Sequence, residues 1–202
     1  MDKSYWKNFY ASSTFHSNPS PFAIWFIETY KPEGTMIELG CGNGRDSLYF
    51  ASEGLQVHGI DQCDNAIEQL NSLGTNAHFS ADDFTQLSAD LKSNHVYSRF
   101  TLHSVDKESA DNTIKWAAEA IDGGYLAIEV RSVKDELFGQ GTEVGVDTWK
   151  TDHSRRFVRK EDLLDIIRNN NMEIVFEQES KGLAIYKTED PVVIRVVAKK
   201  KS

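Results

Sequence analysis

The sequence predicts an α/β fold, a doubly wound sheet of about seven mostly parallel strands with helices on both faces and an antiparallel pair at its C-terminal edge. Three observations carry this reading. Short apolar runs alternate with amphipathic segments between residues 34 and 130. A turn holding Gly40, Gly42 and Gly44 joins the first run to the first amphipathic segment. The second run, "LQVHGID", stops on a carboxylate, Asp61.

In chain order, "GTMIEL" (34–39) is a short apolar strand and "GRDSLYFASE" (44–53) a helix. Asp46 in the first turn of that helix favours its dipole. "LQVHGI" (55–60) is the second strand and "DNAIEQLNSL" (64–73) the second helix. "NAHFS" (76–80) reads as a third strand, and "HVYSRFTL" (95–102), rich in β-branched and aromatic residues, as a fourth. In "ESADNTIKWAAEAI" (108–121), Ile114, Ala117, Ala118 and Ile121 fall on one side of a helix. "GYLAIEV" (124–130) is a fifth strand. Strands each followed by a helix imply parallel pairing. After a helix at 160–170, "MEIVFEQ" (172–178) and "PVVIRVVAKK" (191–200) form the antiparallel edge pair. Pro191 suits the first position of a strand, where its missing N–H costs little. The whole arrangement is Rossmann-like.

Two segments stand outside the alternation. Residues 1–33 are unusually aromatic and read as a helical N-terminal cover preceding the main domain at 34–202. Within them Ser20 is a helix N-cap, Pro21 suits the first helical position, and Phe22, Trp25 and Phe26 have the spacing of a face packed on the sheet. Tyr5, Trp6, Phe9 and Tyr10 are harder to spend on core alone. Residues 131–158 form a polar, glycine-bearing insertion after the fifth strand, and a loop of that length in a compact domain usually serves a site.

Composition narrows the function. A chain of 202 residues fits one domain with a sizeable core. A net charge of −9 argues against a large nucleic-acid footprint, which needs a basic face. It does not preclude a homodimer. No apolar run approaches the length of a membrane span, and the N-terminus lacks a signal-peptide pattern. The two cysteines, Cys41 and Cys63, have no metal-ligand spacing and are too few for a disulfide scaffold, so a reducing, cytoplasmic setting is the simpler reading. The acids are scattered, and no metal site is expected.

In a doubly wound sheet, ligands bind beyond the carboxyl ends of the strands. A glycine turn lets a ligand approach the backbone closely, because no Cβ intrudes. A carboxylate ending the second strand can accept both hydroxyls of a ribose. Together they point to a nucleoside-containing cofactor. The dinucleotide fingerprint G-x-G-x-x-G puts a glycine where this chain has Arg45, which speaks against a nucleotide-linked oxidoreductase. The spacing is instead G-x-G-x-G with Glu38 two residues before it. "ELGCGNG" resembles motif I of the class I S-adenosylmethionine-dependent methyltransferases, and the resemblance spans roughly residues 35–130. It implies S-adenosylmethionine as cofactor. It places Glu38, Gly40, Cys41 and Gly42 at the methionine and ribose portions, and Asp61, followed by Gln62, at the ribose hydroxyls. An acid after the third strand meets the adenine amino group; Asp82 and Asp83 both qualify, Asp83 being preferred, with Phe84 beside the ring. The aromatic N-terminus is similar to that of the small-molecule branch, including thiopurine- and tellurite-type enzymes. "SRFTLHSVD", "EVRSVKDELFG" and "DHSRRF" look like enzymes that modify bacterial surface sugars.

A sulfonium is already an activated methyl donor, so the protein needs mainly to align two molecules, a contribution of roughly 7–11 kcal/mol. A neutral hydroxyl acceptor also needs a base. His103, just after the fourth strand, and His153, in the insertion, are the candidates, and each could equally be structural. Arg99, Arg131, Arg155 and Arg156 gather at the same rim. They either bind an anionic group on the substrate or pair internally with acids such as Glu129, Asp106 or Asp135. Tyr5, Trp6 and Tyr10 are expected to close over the sulfonium or to shape the acceptor pocket. The function so implied is methyl transfer to a small, anionic or sugar-containing acceptor, oxygen ranking first. The alternatives are a thiopurine/tellurite-type S- or Te-methyltransferase and a non-catalytic cofactor-binding module.

Overall fold

The computed structural model describes Tyr5 and residues 18–201. Five parallel strands, β1 (Thr35–Leu39), β2 (Gln56–Asp61), β3 (His78–Ala81), β4 (His95–Arg99) and β5 (Tyr125–Arg131), are joined by two later ones, β9 (Met172–Ser180) and β10 (Val193–Lys200). The order across the seven-stranded sheet is β3-β2-β1-β4-β5-β10-β9. It is Rossmann-like, as the alternation of strands and helices implies. The order reverses between β1 and β4, so the crevice for a ligand lies where the glycine turn leaves β1. The last strand does not remain at the edge. It threads antiparallel between β5 and β9, and its first six residues are buried.

Helices cover both faces. Helix α1 (Pro21–Tyr30) starts as the sequence implies: the Ser20 hydroxyl accepts from the Ala23 amide at 3.1 Å, and Pro21 opens the first turn. It buries Phe22, Ala23 and Phe26 against Met36, Tyr97, Ala127 and Val197, together with Phe50 of α2 (Arg45–Ser52). On this side lies the small helix α3 (Asp64–Ser72) as well, its Leu70 and Ile67 packed on Phe79 and Cys41. The opposite face takes α4 (Lys107–Ala120), capped by Asp106, and α5 (Lys160–Asn169); Ile114, Ala117, Ala118, Leu163, Leu164 and Ile167 fill the main core there. None of the described helices is long and apolar enough to cross a membrane.

Two expected boundaries move. The fourth strand ends at Arg99 rather than running on to residue 102, because Phe100 adopts a left-handed conformation with φ 54°. The chain then makes a short 3-10 turn at Leu102–Ser104. The insertion at 131–158 is not bare loop: β6 (Thr142–Gly145), β7 (Thr148–Lys150) and β8 (Ser154–Arg156) make a small antiparallel sheet of their own.

Buried charge organises the α1 face. Arg99, Glu129 and Arg195 are register partners on the adjacent strands β4, β5 and β10. Glu129, fully buried, accepts from Arg99 Nε at 2.9 Å through one oxygen and from Arg195 Nε and Nη2 at 3.0 and 2.6 Å through the other. The Arg195 guanidinium also lies over Phe22 and Trp25 of α1, 4.8 and 5.1 Å from the ring centroids. A second knot forms at Asp46. It accepts from the Ser20 amide (2.7 Å), the Ser20 hydroxyl (2.6 Å), the Tyr97 hydroxyl (3.0 Å) and Arg45 Nε (3.1 Å). One carboxylate thus ties the start of α1 to the start of α2 and the middle of β4.

Removing the charge of Glu129 would leave two guanidinium groups buried against each other. Glu129→Gln is expected to cost about 3–5 kcal/mol of stability, read as a lowered urea midpoint with an unchanged slope.

Candidate active site

The glycine turn is built by exclusion. Gly40, Gly42 and Gly44 all have positive φ (68°, 55° and 73°), a region that side chains disfavour. At Gly40 the reason is also spatial: a Cβ there would stand 2.6 Å from the Thr101 side chain. Thr101 holds this place by donating its hydroxyl to the Leu39 carbonyl at 2.8 Å. The residue just past β4 is therefore seated on the residue just past β1. At Gly44 a Cβ would meet Leu70 of α3 at 2.4 Å, so the helix-starting glycine makes room for a core side chain.

Asp61 closes the turn from the end of β2. Its two oxygens accept one amide each, from Gly42 at 2.9 Å and from Cys63 at 2.9 Å. A carboxylate has about four lone-pair sites, so both oxygens can still accept from a ligand hydroxyl. Burial raises its pKa; the amide hydrogen bonds oppose that rise. The next residue, Gln62, has its side-chain oxygen buried and without a partner among the described residues. A buried orphan acceptor costs about 1–3 kcal/mol until a donor arrives. The segment after β3 comes to the same rim, since the Asp82 amide donates to the Asp61 carbonyl at 3.1 Å. Asp83 Oδ1 accepts from the Thr85 amide and hydroxyl at 3.0 and 2.7 Å. Gly40, Gly42, Asp61, Gln62, Asp82 and Asp83 are thus brought together, and their donors and acceptors fit a nucleoside.

Three of the expected cofactor contacts also take part in packing. Glu38 is 5 % exposed and takes a hydrogen bond from Ser47 of α2, which fastens the helix to β1. Burial first, and then the neighbouring Asp46, push its carboxyl well above the usual range. Phe84 is 3 % exposed and packs in the main core. The Cys41 side chain is buried with Ile67 and Leu70, and burial pushes its thiol well above 9.

The other rim, where the remaining candidate residues lie, is formed by the chain after β4, the end of β5 and the small sheet. His103 is 5 % exposed, and its Nδ1 is enclosed with no partner among the described residues. Burial, reinforced by Arg131, Arg155, His153 and Arg156, lowers its pKa well below the usual imidazole range. It is therefore neutral. His153 is placed differently: its Nδ1 lies 3.0 Å from Asp152 Oδ2, and its ring stacks on Tyr5 at 4.2 Å between centroids. Tyr5 donates its hydroxyl to the same carboxylate at 3.1 Å, which joins the N-terminus to the tip of the insertion. Trp6 and Tyr10 lie outside the described residues.

The four arginines divide. Arg131 is bound by both oxygens of Asp135, at 3.2 and 3.3 Å, and by Glu189 at 2.8 Å. Arg155 is bound to Asp152 at 2.8 Å and to the Thr151 hydroxyl at 2.9 Å. Arg156 spends two donors on the backbone: its Nε and Nη2 donate to the carbonyls of Val105 and Leu102, at 3.0 and 2.9 Å. That fixes the turn carrying His103. Arg99 alone keeps its terminal nitrogens unbonded among the described residues. Sequence reasoning passed over Phe100, whose ring has Arg99 Cζ at 4.4 Å, Arg131 Cζ at 5.9 Å and the His103 ring at 5.4 Å. Its position between Arg99 and His103 was visible; its left-handed backbone was not.

Residues 36–124 match the family model described as a methyltransferase domain. The chain carries a methyltransferase domain. No curated protein matches its sequence. Among solved structures, the domain is similar to an S-adenosylmethionine-dependent methyltransferase from Methanosarcina mazei, at 19% identity over 87% of this chain and 96% of that one, with a TM-score of 0.72. It is similar to the 1,6-didemethyltoxoflavin-N1-methyltransferase of Burkholderia thailandensis, solved with its substrate and S-adenosylhomocysteine, at 14% identity over 90% and 77% of the two chains, with a TM-score of 0.70. The [4+2]-cyclase SpnF is equally alike in shape, at 16% identity, 98% and 92% coverage and a TM-score of 0.72. At these identities the likeness establishes the methyltransferase-type fold.

His103 makes stability depend on pH. Its folded pKa lies below the ordinary 6.5, so between those two values the unfolded chain binds a proton that the folded one refuses. Its contribution is full above pH 6.5 and is lost as pH falls below it. His103→Gln is therefore expected to flatten the fall in melting temperature between pH 7.5 and 5.5, compared with the unaltered protein in the same buffers.

Proposed function

We propose that this domain binds S-adenosylmethionine and moves a methyl group to a small acceptor, with oxygen the first choice of accepting atom. The observation that carries the reading is Asp61: its carboxylate bridges the glycine turn and the start of α3, and both oxygens can still accept hydroxyls. S-adenosylmethionine, when bound, supplies a methyl group made electrophilic by its sulfonium. Gly40 and Gly42 admit the ligand to the backbone, Asp61 holds a ribose, the Gln62 oxygen takes a nearby donor, and Asp83, with Asp82, faces the adenine side. Glu38, through Ser47, and Thr101, through the Leu39 carbonyl, support the turn from behind.

His103 is the better base of the two histidines. It is close to the end of β4 and spends no nitrogen on a neighbouring carboxylate, whereas His153 is engaged by Asp152 and Tyr5. In this role its imidazole takes the hydroxyl proton as the acceptor oxygen meets the methyl carbon. Arg156 positions it through the Leu102 and Val105 carbonyls. Residues 1–33 serve as a cover and 131–158 as the insertion that completes the acceptor side; the Tyr5 contact with Asp152 and His153 supports that division. The acceptor is a small molecule or a glycan.

Asp61→Ala is expected to weaken S-adenosylhomocysteine at least tenfold in calorimetry, equivalent to about 1.4 kcal/mol, while His103→Gln leaves that affinity within twofold and lowers turnover about 100-fold or more. Equal binding by the alanine variant and the unaltered protein would remove the ribose role.

A further inference from the structure

The methyltransferase reading leaves open what marks a molecule as the acceptor. The buried charges at the end of β4 bear on it. Arg99, Glu129 and Arg195 hold two guanidinium groups against one carboxylate, so the set carries an excess of one positive charge. That excess is not shared evenly. Both Arg195 bonds go to one Glu129 oxygen, and Arg195 Nη2 is further taken by the Leu183 carbonyl at 3.0 Å. Arg99 reaches the other oxygen through Nε only. Its two terminal nitrogens have no hydrogen-bond partner among the described residues, and they are not sealed: the side chain keeps 13% of its exposure, and neither nitrogen is among the enclosed orphan atoms. Every other arginine at this rim has at least one terminal nitrogen taken, Arg131 by Asp135 and Glu189, Arg155 by Asp152, and Arg156 by the Leu102 carbonyl.

A guanidinium whose Nε is fixed from behind presents its outer edge as a rigid pair of donors, the shape that fits an oxyanion bidentately. Arg99 is fixed twice, by Glu129 and by its stacking on the Phe100 ring, 4.4 Å from the centroid. The same ring is flanked by His103 and by Arg131. An anion on Arg99 would therefore stand beside the residue assigned as base, and the partly exposed Phe100 ring would be its apolar neighbour.

We propose that the outer edge of Arg99 is the receptor for an oxyanion carried by the acceptor, a carboxylate or a phosphate ester, and that this contact selects acidic small molecules and aims them at the methyl position. The proposal rests on the methyltransferase reading for the word acceptor, but the anion site stands on the geometry of Arg99 alone. Glu129 gives it direction. Without Glu129, Arg99 could turn; with a neutral residue in place of Arg195, the excess charge would vanish.

The test titrates inorganic phosphate, and separately acetate, into the protein with and without S-adenosylhomocysteine, following the Phe100 and His103 ring resonances by NMR. Saturable shifts are expected with both anions, and Arg99→Gln should weaken them at least tenfold. Arg99→Lys keeps a cation for Glu129 but lacks the fork, and it should weaken phosphate several-fold; it decides the matter if the glutamine variant does not fold. A larger affinity for phosphate than for acetate points to a phosphate ester, and the reverse order to a carboxylate. No saturable shift in the unaltered protein, or unchanged affinity in a folded Arg99 variant, overturns the proposal. Failure of S-adenosylhomocysteine to bind would instead sink the cofactor reading, and the titration without it would still decide the anion site.

Discussion

Glu129 is the point on which the charged rim at the ends of β4 and β5 turns. It is a carboxylate with no exposure, in the middle of a seven-stranded sheet, and it exists there only because two guanidinium groups meet it in register from the strands on either side. A buried ion set of this kind adds little net stability compared with an apolar replacement, because each charge must first leave water. What it adds is placement. It couples β4, β5 and β10, it brings Arg195 under Phe22 and Trp25 so that α1 has one seat, and it leaves one arginine edge pointing outward from a fixed anchor.

The cofactor half depends on a constraint of another kind, the absence of side chains. Gly40 lies against Thr101, and Thr101 is held by the Leu39 carbonyl, so the ends of β1 and β4 cannot drift apart. Asp46 adds a third tie, from the start of α2 to the start of α1 and to Tyr97. The two halves therefore meet along β4. Its middle supports the glycine turn through Tyr97 and Asp46, and its end carries Arg99, Phe100 and, one turn later, His103. The same fold also hosts a [4+2]-cyclase, SpnF. Shape alone does not select a reaction; the side chains at the strand ends do.

Much of this was legible in the residues. Alternation of apolar runs and helical periods implied the doubly wound sheet, and the glycine spacing with Asp61 marked the crevice before any coordinate. Other features were not legible, for stated reasons. The resemblance places Glu38 and Phe84 at the cofactor, but it could not show that Glu38 also takes a hydrogen bond from Ser47 or that Phe84 packs in the main core, because helix packing behind the strand is not readable from a motif. The insertion at 131–158 has strands of three and four residues, too short for a periodic signal. The end of β4 at Arg99 follows from a single left-handed residue, and Phe100 is not of a type that announces one.

By itself, then, the sequence determined the layered α/β architecture, the cofactor crevice and the identity of the charged residues at the rim, since these depend on periodicity and on glycine and acid positions along the chain. Only the tertiary structure decided which arginine keeps both terminal nitrogens unbonded among the described residues. Arg99, Arg131, Arg155 and Arg156 look alike in sequence. Arg155 pairs locally with Asp152, but the partners of the others include Glu129, Glu189 and the backbone carbonyls of Leu102 and Val105, far along the chain, and such pairings come into being only when the strands lie side by side.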